Sequence, residues 1–338
     1  MNYKIPFLIL CSIFLFSCSN ENELKYNITT ARIPMHDNIH LAADIYWPIG
    51  YRNGDVYPVL LEYIPYRKDE SRGRNYPLYS YFLDNDYIVA RVDIRGTGNS
   101  EGKVIPNEYS DIELDDGEEV IEWLANQSWS NGNIGMFGIS WGGFNSIQMS
   151  MRNPPALKAF VAVMATEYLY EEDVHYIDGI MVAGDSWMMS NDLYNSLPGA
   201  PEFLMNEQWY EDRFDVEPSV YKYMRQQRDG PFWDRASAKN KYHLIKVPGY
   251  HIGGWYDGYR NSLPRMIENV SAPVKAMIGP WDHDYPHDAA LKPQVEWRHE
   301  AVRWFDQFLK QKNTGILEEP KFAIYMRDYH EPDDSIEY

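Results

Sequence analysis

The sequence has 338 residues, of which 44% are hydrophobic, and its formal net charge is −19 at neutral pH. A chain of this length can bury one large core or two smaller ones, and this composition is that of a globular protein rather than a disordered one. The negative charge is spread along the chain, which argues against a nucleic-acid partner, because phosphate contacts require clustered Lys and Arg.

The first residues predict an export signal that ends in a lipid anchor. Lys4 precedes an apolar run over 5–16, and the letters LFSC end at Cys18. The run is shorter than the ~20 residues that span a membrane, as is typical of a signal peptide. Its ending resembles the cleavage box of bacterial lipoproteins, which implies lipidation of Cys18 and a membrane-anchored place in the bacterial cell envelope, outside the cytoplasm.

The cysteine count agrees with this interpretation. Besides Cys18 the sequence has only Cys11, which lies inside the apolar run. A chain cleaved before Cys18 would therefore keep no thiol for a disulfide. We predict a signal peptide over 1–17 and an acidic, polar tether over 18–26.

The next part of the chain predicts an α/β fold. Alternating apolar residues over 26–48 predict an antiparallel hairpin. Strand-like and helix-like segments then alternate, as in a parallel sheet covered by helices. A helix over 113–127 has acidic residues in its first turn, where the helix dipole favours them, and apolar residues at helical spacing. These apolar residues are Leu114, Val120, Ile121 and Leu124, and the strands are 58–64, 87–93, 133–139 and 158–164.

Residues 167–240 interrupt this alternation. They are rich in Tyr, Trp, Met and acidic residues and predict helices and loops without clear strands. An irregular insert between two halves of a parallel sheet is typical of a cap over an active site. We predict a core from 27–166 and 241–315 with a helical cap between. In the second half of the core the predicted strands are 246–252 and 273–279, and the helices are 258–269 and 295–310.

Ser140 is the candidate nucleophile. It lies in the letters GISWGG, where a predicted strand ends at Ile139 and a helix would begin directly after the serine. Gly138, Gly142 and Gly143 would keep side chains out of this sharp turn and leave the hydroxyl at the carboxyl edge of the sheet. The context predicts a nucleophile elbow, whereas the bare G-x-S-x-G pattern is also found in ordinary turns.

A serine nucleophile needs a base and a carboxylate that orients the base. Among nine histidines, His283 directly follows a late strand, in a turn-rich loop. Asp257 follows the preceding strand, so the chain order is Ser, Asp, His, as in one class of triad. Asp282 and Asp284 are rivals, but adjacent side chains in a loop seldom face the same ring. The other histidines weighed as the base are His36, His40, His243 and His251.

Two motifs suggest other chemistry. His283 and His287 are spaced like zinc ligands, but Pro286 obstructs the helix that would align them. The glycines of 95–102 suggest a dinucleotide loop, but their spacing is G-x-G-x-x-x-G and the loop is not the first strand-to-helix turn of a dinucleotide-binding unit. We therefore predict neither a metal nor a cofactor.

Several segments together resemble one family, the cocaine-esterase and X-Pro dipeptidyl-peptidase group of α/β-hydrolases (CocE/NonD type). They occur in the family's order and cover roughly residues 30–325. The resemblance implies an α/β-hydrolase fold with a helical cap. The segments read PYRKDE over 65–70, DIRGTGNSEG over 93–102, GISWGGF over 138–144, GGWYDGY over 253–259 and GPWDH over 279–283.

The resemblance also implies site residues and substrates. It assigns the triad to Ser140, Asp257 and His283, as the positions do. It adds the hydroxyl of Tyr66 as one oxyanion donor, and the other would be the backbone N–H of Trp141. It implies acyl transfer from small esters, amides or short peptides, without a cofactor.

The kind of substrate stays open at this point. An acyl esterase is the first hypothesis, and an Xaa-Pro dipeptidyl-peptidase or an α-amino-acid ester hydrolase is the alternative. Among acids of the predicted cap, one carboxylate could bind a free α-amino group. These acids are Asp173, Asp178, Asp185 and Asp192, near Trp187 and Trp209.

Family members usually continue into a β-sandwich of jelly-roll type. Residues 316–338 resemble only its opening strand, so we expect that domain to be truncated. A lipoprotein that keeps the fold but only binds ligands is therefore a further hypothesis.

Overall fold

The computed structural model describes residues 26–70, 72–182, 192–199 and 204–328. A nine-stranded sheet forms the centre of this part of the chain. The predicted signal peptide, Cys18, Asp185 and Trp187 lie outside the described residues, and the lipid anchor stays a prediction. The strands of the sheet are β1 (Asn27–Pro34), β2 (His40–Trp47), β3 (Tyr57–Ile64), β4 (Ile88–Asp93), β5 (Ser130–Ile139), β6 (Leu157–Val163), β9 (Gly249–Gly254), β10 (Val274–Gly279) and β11 (Phe322–Ile324).

The order of the strands is β1-β2-β4-β3-β5-β6-β9-β10-β11. β1 and β2 form the predicted hairpin, and β2 pairs antiparallel with β4. From β4 to β11 all pairs are parallel, so the carboxyl ends of these strands meet at one edge of the sheet. That edge is where ligands bind in open parallel sheets.

Five helices accompany the sheet, namely α1 (Arg72–Leu83), α2 (Asp111–Ala125), α3 (Trp141–Arg152), α7 (Ser262–Asn269) and α8 (Trp297–Leu309). α2 buries Leu114, Val120, Ile121 and Leu124, as predicted. α1 has no counterpart in the sequence prediction, because Pro77 lies inside it and its apolar residues form no clear stripe. No helix among the described residues has the length and apolar character needed to span a membrane.

The segment between β6 and β9 contains short elements. Its described helices include α4 (Glu207–Trp209), which continues as a π-helical turn over Tyr210–Phe214, α5 (Val220–Arg225) and α6 (Pro231–Asp234). It also contains a small hairpin of β7 (Tyr176–Ile177) and β8 (Ile180–Met181), where the sequence indicated no clear strand. Two positive-φ residues, Asp178 (51°) and Gly179 (74°), make its tight turn, and strands this short leave no alternating pattern to read.

The last described strand lies within 316–338, the segment that the sequence analysis interprets as the start of a truncated β-domain. Residues 322–324 form β11, an edge strand of the central sheet. They pair in parallel with β10, and the Ala276 N–H donates to the Lys321 carbonyl at 2.7 Å. The truncated β-domain stays a prediction.

A buried ionic cluster joins the cap to the core. Glu167 and Glu172 lie in the segment after β6 and are buried, and Arg265 lies on α7. The Arg265 guanidinium contacts both carboxylates at 2.6 Å. Glu172 also accepts the N–H of Asn261 at 3.0 Å. One cation therefore fixes the start of the cap against the helix that follows the Asp257 loop.

We expect Arg265→Met to lower the free energy of unfolding by about 3 kcal/mol, because two buried carboxylates would lose their cation. Urea denaturation at pH 7 measures this. Arg225→Met is the matched control, since the Arg225 pair with Glu217 is exposed and should be worth less than about 1 kcal/mol. Equal losses in the two variants would contradict a structural role for the cluster.

Candidate active site

Ser140 occupies the turn between β5 and α3. Its backbone has φ 55° and ψ −126°, a conformation that non-glycine residues rarely adopt. Its N–H donates to the Val163 carbonyl of β6 at 3.0 Å, and its carbonyl accepts the Phe144 N–H at 2.9 Å. The turn therefore holds the serine in a strained conformation at the carboxyl edge of the sheet, as in a nucleophile elbow.

The glycines around Ser140 permit a close approach of strand and helix. A Cβ atom on Gly138 would lie 2.6 Å from the Gly142 Cα atom, and one on Gly143 would lie 2.8 Å from the Ala165 Cβ atom. Both distances are far below a normal carbon contact. These positions therefore require glycine, because any side chain would collide with the adjoining strand or helix, as predicted from the sequence.

His283 and Asp257 form a hydrogen-bonded pair. They follow β10 and β9, and the Nδ1 atom of His283 lies 2.8 Å from the Oδ1 atom of Asp257. The carboxylate is buried and the imidazole is 44% exposed. The ring of Tyr259 packs edge-on against the imidazole at 5.6 Å. If Nδ1 carries the proton that Asp257 accepts, Nε2 is the nitrogen that can take a proton from a hydroxyl.

Tyr66 follows β3, which neighbours β5 in the sheet, whereas Asp257 and His283 follow β9 and β10. Tyr66 therefore reaches Ser140 from the opposite side to these two residues. Burial raises the pKa of Tyr66 to about 12, against the opposing influence of the Ser140 side chain and the Trp141 backbone, so the hydroxyl keeps its proton at neutral pH. A protonated hydroxyl and a backbone N–H that converge beside a serine can together stabilise an oxyanion.

All five predicted residues line one cavity of about 470 Å³, namely Ser140, Asp257, His283, Tyr66 and Trp141. Among the described residues, His283 bonds to Asp257, and no hydrogen bond joins the Ser140 side chain to His283. Such contacts are often long or misaligned in free enzymes and tighten when a substrate binds.

Sequence reasoning missed two carboxylates behind this cavity. Glu108 lines it, and Glu113 on α2 accepts the indole N–H of Trp141 and the backbone N–H of Tyr109, each at 2.7 Å. Burial raises the pKa of Glu113 to about 7. Glu113 lies on the same helix face as the buried residues Gly117, Val120 and Leu124, one, two and three turns away. The helical spacing of the sequence therefore indicated that Glu113 would be buried. Glu108 lies in an irregular segment, where no spacing indicates burial.

The motifs with other possible chemistry have structural roles. His287 accepts the indole N–H of Trp297 at 2.8 Å. Gly98 belongs to the loop with the dinucleotide-like spacing, and there a Cβ atom would collide with the buried carboxylate of Asp93. That carboxylate accepts the N–H groups of Lys68 and Asn99, which ties this loop to the one that carries Tyr66.

One group of described residues has the spacing of a cation site. Atoms of Glu108, Asp173 and His175 lie within 4.8 Å of one another, and all three residues are buried. The Nε2 atom of His175 lies 3.0 Å from a Glu108 carboxylate oxygen, so these two side chains already bond to each other.

The other acids of the predicted cap lie elsewhere. Asp178 is exposed, and Asp192 lines a second, smaller pocket.

The chain is similar to known proteins over most of its length. Residues 37–285 match the family model of the X-Pro dipeptidyl-peptidases (S15 family). The chain is 27% identical to the cocaine esterase of Rhodococcus sp. over 332 residues, covering 87% of the chain and 57% of that esterase. It is 28% identical to a putative Xaa-Pro dipeptidyl-peptidase of Streptomyces avermitilis, covering 81% of the chain and 43% of the relative. The chain thus spans about half the length of these relatives.

Solved structures show the same fold. A CocE/NonD family hydrolase from Staphylococcus aureus superimposes with a TM-score of 0.70 at 23% identity, over 88% of the chain and 53% of that hydrolase. An α-amino-acid ester hydrolase superimposes with a TM-score of 0.67 at 22% identity, over 89% of the chain and 57% of the neighbour. The expected α/β-hydrolase fold is confirmed.

We expect Gly138→Ala to lower the free energy of unfolding by about 1–3 kcal/mol, because the added methyl group collides with the backbone of Gly142. Chemical denaturation measures the change. Gly230→Ala is the control, because a Cβ atom there meets nothing within 4 Å. A fully stable Gly138→Ala protein would show that the turn does not depend on this close approach.

Proposed function

The chain belongs to the X-Pro dipeptidyl-peptidase (S15) family, whose members are hydrolases, and on that basis we propose that it is a serine hydrolase of esters or amides. The observation that carries the proposal is the shared cavity of Ser140, Tyr66 and the His283–Asp257 pair. An acyl esterase is the first candidate, supported by the similarity of the chain to a cocaine esterase.

The proposed reaction has two steps. The Ser140 hydroxyl turns to Nε2 of His283, loses its proton to that nitrogen and attacks the substrate carbonyl. His283 then gives the proton to the departing alcohol or amine. In the second step His283 takes a proton from water as the water attacks the acyl-serine, the bond from the acyl group to the serine oxygen breaks, the acid leaves, and His283 returns the proton to the serine oxygen. Asp257 holds the imidazole in the required tautomer and stabilises its positive charge.

The oxyanion is stabilised beside Ser140. Negative charge develops on the former carbonyl oxygen in each step, and the Tyr66 hydroxyl and the Trp141 N–H are the donors. Both are fixed before the substrate arrives, Trp141 at the start of α3 and Tyr66 in a loop that Asp93 holds through the Lys68 N–H. Donors fixed in this way need no reorganisation when the charge forms.

We expect Ser140→Ala to lower kcat by about 10⁶-fold and Tyr66→Phe by about 10²- to 10³-fold, because the first removes the nucleophile and the second one oxyanion donor. The measurement is hydrolysis of p-nitrophenyl acetate, with labelling of Ser140 by a fluorophosphonate as a second readout. Ser128→Ala and Tyr81→Phe are the matched controls, since Ser128 is exposed and neither residue lines the cavity. Wild-type activity in Ser140→Ala would overturn the proposal.

A second candidate is hydrolysis of substrates with a free α-amino group, as in an Xaa-Pro dipeptidyl-peptidase or an α-amino-acid ester hydrolase. The observation that favours it is the buried carboxylate of Asp173 in the wall of the cavity. An α-amino group is protonated at neutral pH and is attracted to carboxylates in a site of low dielectric constant.

For this candidate we expect kcat/KM for alanine methyl ester to exceed that for methyl propanoate, and Asp173→Asn to reduce the ratio by about tenfold, because a charge-assisted hydrogen bond is lost. Titration of released acid measures both rates. Asp178→Asn is the matched control, because Asp178 is exposed at the turn of the hairpin of β7 and β8 and does not line the cavity. Equal rates for the two esters would leave the acyl esterase as the remaining candidate.

A further inference from the structure

A second pocket of about 120 Å³ lies next to the catalytic cavity. Trp141 and Glu108 line both, so the pocket and the cavity share part of their walls. Pro65, which precedes the oxyanion tyrosine, lines the second pocket as well. The apolar part of its wall comes from the loop after β4 and from the cap, through Val104, Ile105, Leu193, Phe214, Val216 and Pro218.

The charged side chains of this wall are each held by protein groups, so the pocket offers apolar surface rather than an ion site. The carboxylates of the wall bond to side chains of the protein, and the one guanidinium bonds to backbone carbonyls. Glu108 pairs with His175, Glu217 with Arg225, Asp192 with the Ser219 hydroxyl, and Arg213 with the carbonyls of Gly98 and Ser196.

The position of the pocket indicates which half of a substrate it receives. In acyl transfer the leaving group must lie near the histidine that protonates it. His283 and Asp257 line the catalytic cavity but not the second pocket. The second pocket instead adjoins the oxyanion side, at Pro65 and Trp141. A substituent that enters it therefore belongs to the acyl group and not to the alcohol or amine.

We propose that this pocket binds the apolar chain of a short, unbranched acyl group, an inference that rests on the proposed function. A cavity of about 150 Å³ holds one benzene ring. A pocket of about 120 Å³ is smaller and suits a chain of about four carbon atoms. The chemical class of substrate is thus an ester or amide of a short-chain acid such as butanoic acid.

The test compares p-nitrophenyl acetate, butanoate and octanoate, which share a leaving group. Each methylene that is buried contributes about fourfold to kcat/KM, so butanoate should exceed acetate by about 15-fold. Octanoate should fall below butanoate, because its chain is longer than the pocket. A profile that is flat from acetate to octanoate overturns the proposal.

A pocket-filling variant makes the test specific. Val216 is half-buried on a cap loop, and Val216→Trp should lower the butanoate-to-acetate ratio about tenfold by occupying the pocket. Val56→Trp is the matched control, since Val56 is 56% exposed and lines neither the cavity nor the pocket; it should keep the wild-type ratio. A thermal unfolding curve for each variant identifies a change caused by misfolding. An unchanged ratio in folded Val216→Trp overturns the proposal.

The failure of the pocket and the failure of the proposed function give different results. If acetate is hydrolysed and Ser140 is labelled but the chain-length profile is flat, the pocket is wrong and the serine hydrolase stands. If no ester is hydrolysed, binding decides instead: saturation-transfer NMR with methyl butanoate is recorded on Ser140→Ala with and without Val216→Trp. At least a twofold loss of saturation at the terminal methyl group in the double variant supports the pocket, and equal saturation overturns it.

Discussion

The close approach of β5 and α3 is the constraint on which the candidate site depends. Without side chains on Gly138 and Gly142 the helix can begin directly after Ser140, which places the serine at φ 55°. The bond from the Ser140 N–H to Val163 fixes it to the neighbouring strand β6 as well. The remaining groups then reach it from nearby strands, with Tyr66 after β3 on one side and Asp257 and His283 after β9 and β10 on the other.

Buried carboxylates hold the loops that the sheet itself does not fix. Asp93 accepts the N–H groups of Lys68 and Asn99, and Glu113 accepts N–H groups of Trp141 and Tyr109. Burial raises the pKa of both acids to about 7. A carboxylate that is removed from water costs free energy, which is repaid only in part by its donors. Asp93 and Glu113 therefore act mainly to position these loops rather than to stabilise the fold.

The sequence predicts those parts of the fold and site that leave a local pattern. Alternation of strands and helices predicts the parallel sheet, and the ends of strands predict Ser140, Asp257 and His283. The same reasoning does not find Tyr66, because a tyrosine after a strand is common, and only the family resemblance singles it out. Glu113 shares the helical period of its apolar neighbours, but an acid in a first turn is equally explained by the helix dipole. β11 depends on a partner strand distant in sequence, which no local pattern encodes.

Trp141 joins the parts of the site into one unit. It follows Ser140 directly, its ring packs edge-on against that of Tyr66, and it lines both the cavity and the second pocket. The bond from its indole N–H to Glu113 fixes the ring to α2. Under the proposed function, this one residue would supply both the oxyanion N–H and part of the pocket wall. An acyl group that fits the pocket without displacing Trp141 would leave the oxyanion donor in place, whereas an oversized group that shifts Trp141 would also disturb the donor. The two proposals together therefore couple selection of the acyl group to stabilisation of the oxyanion through a single residue.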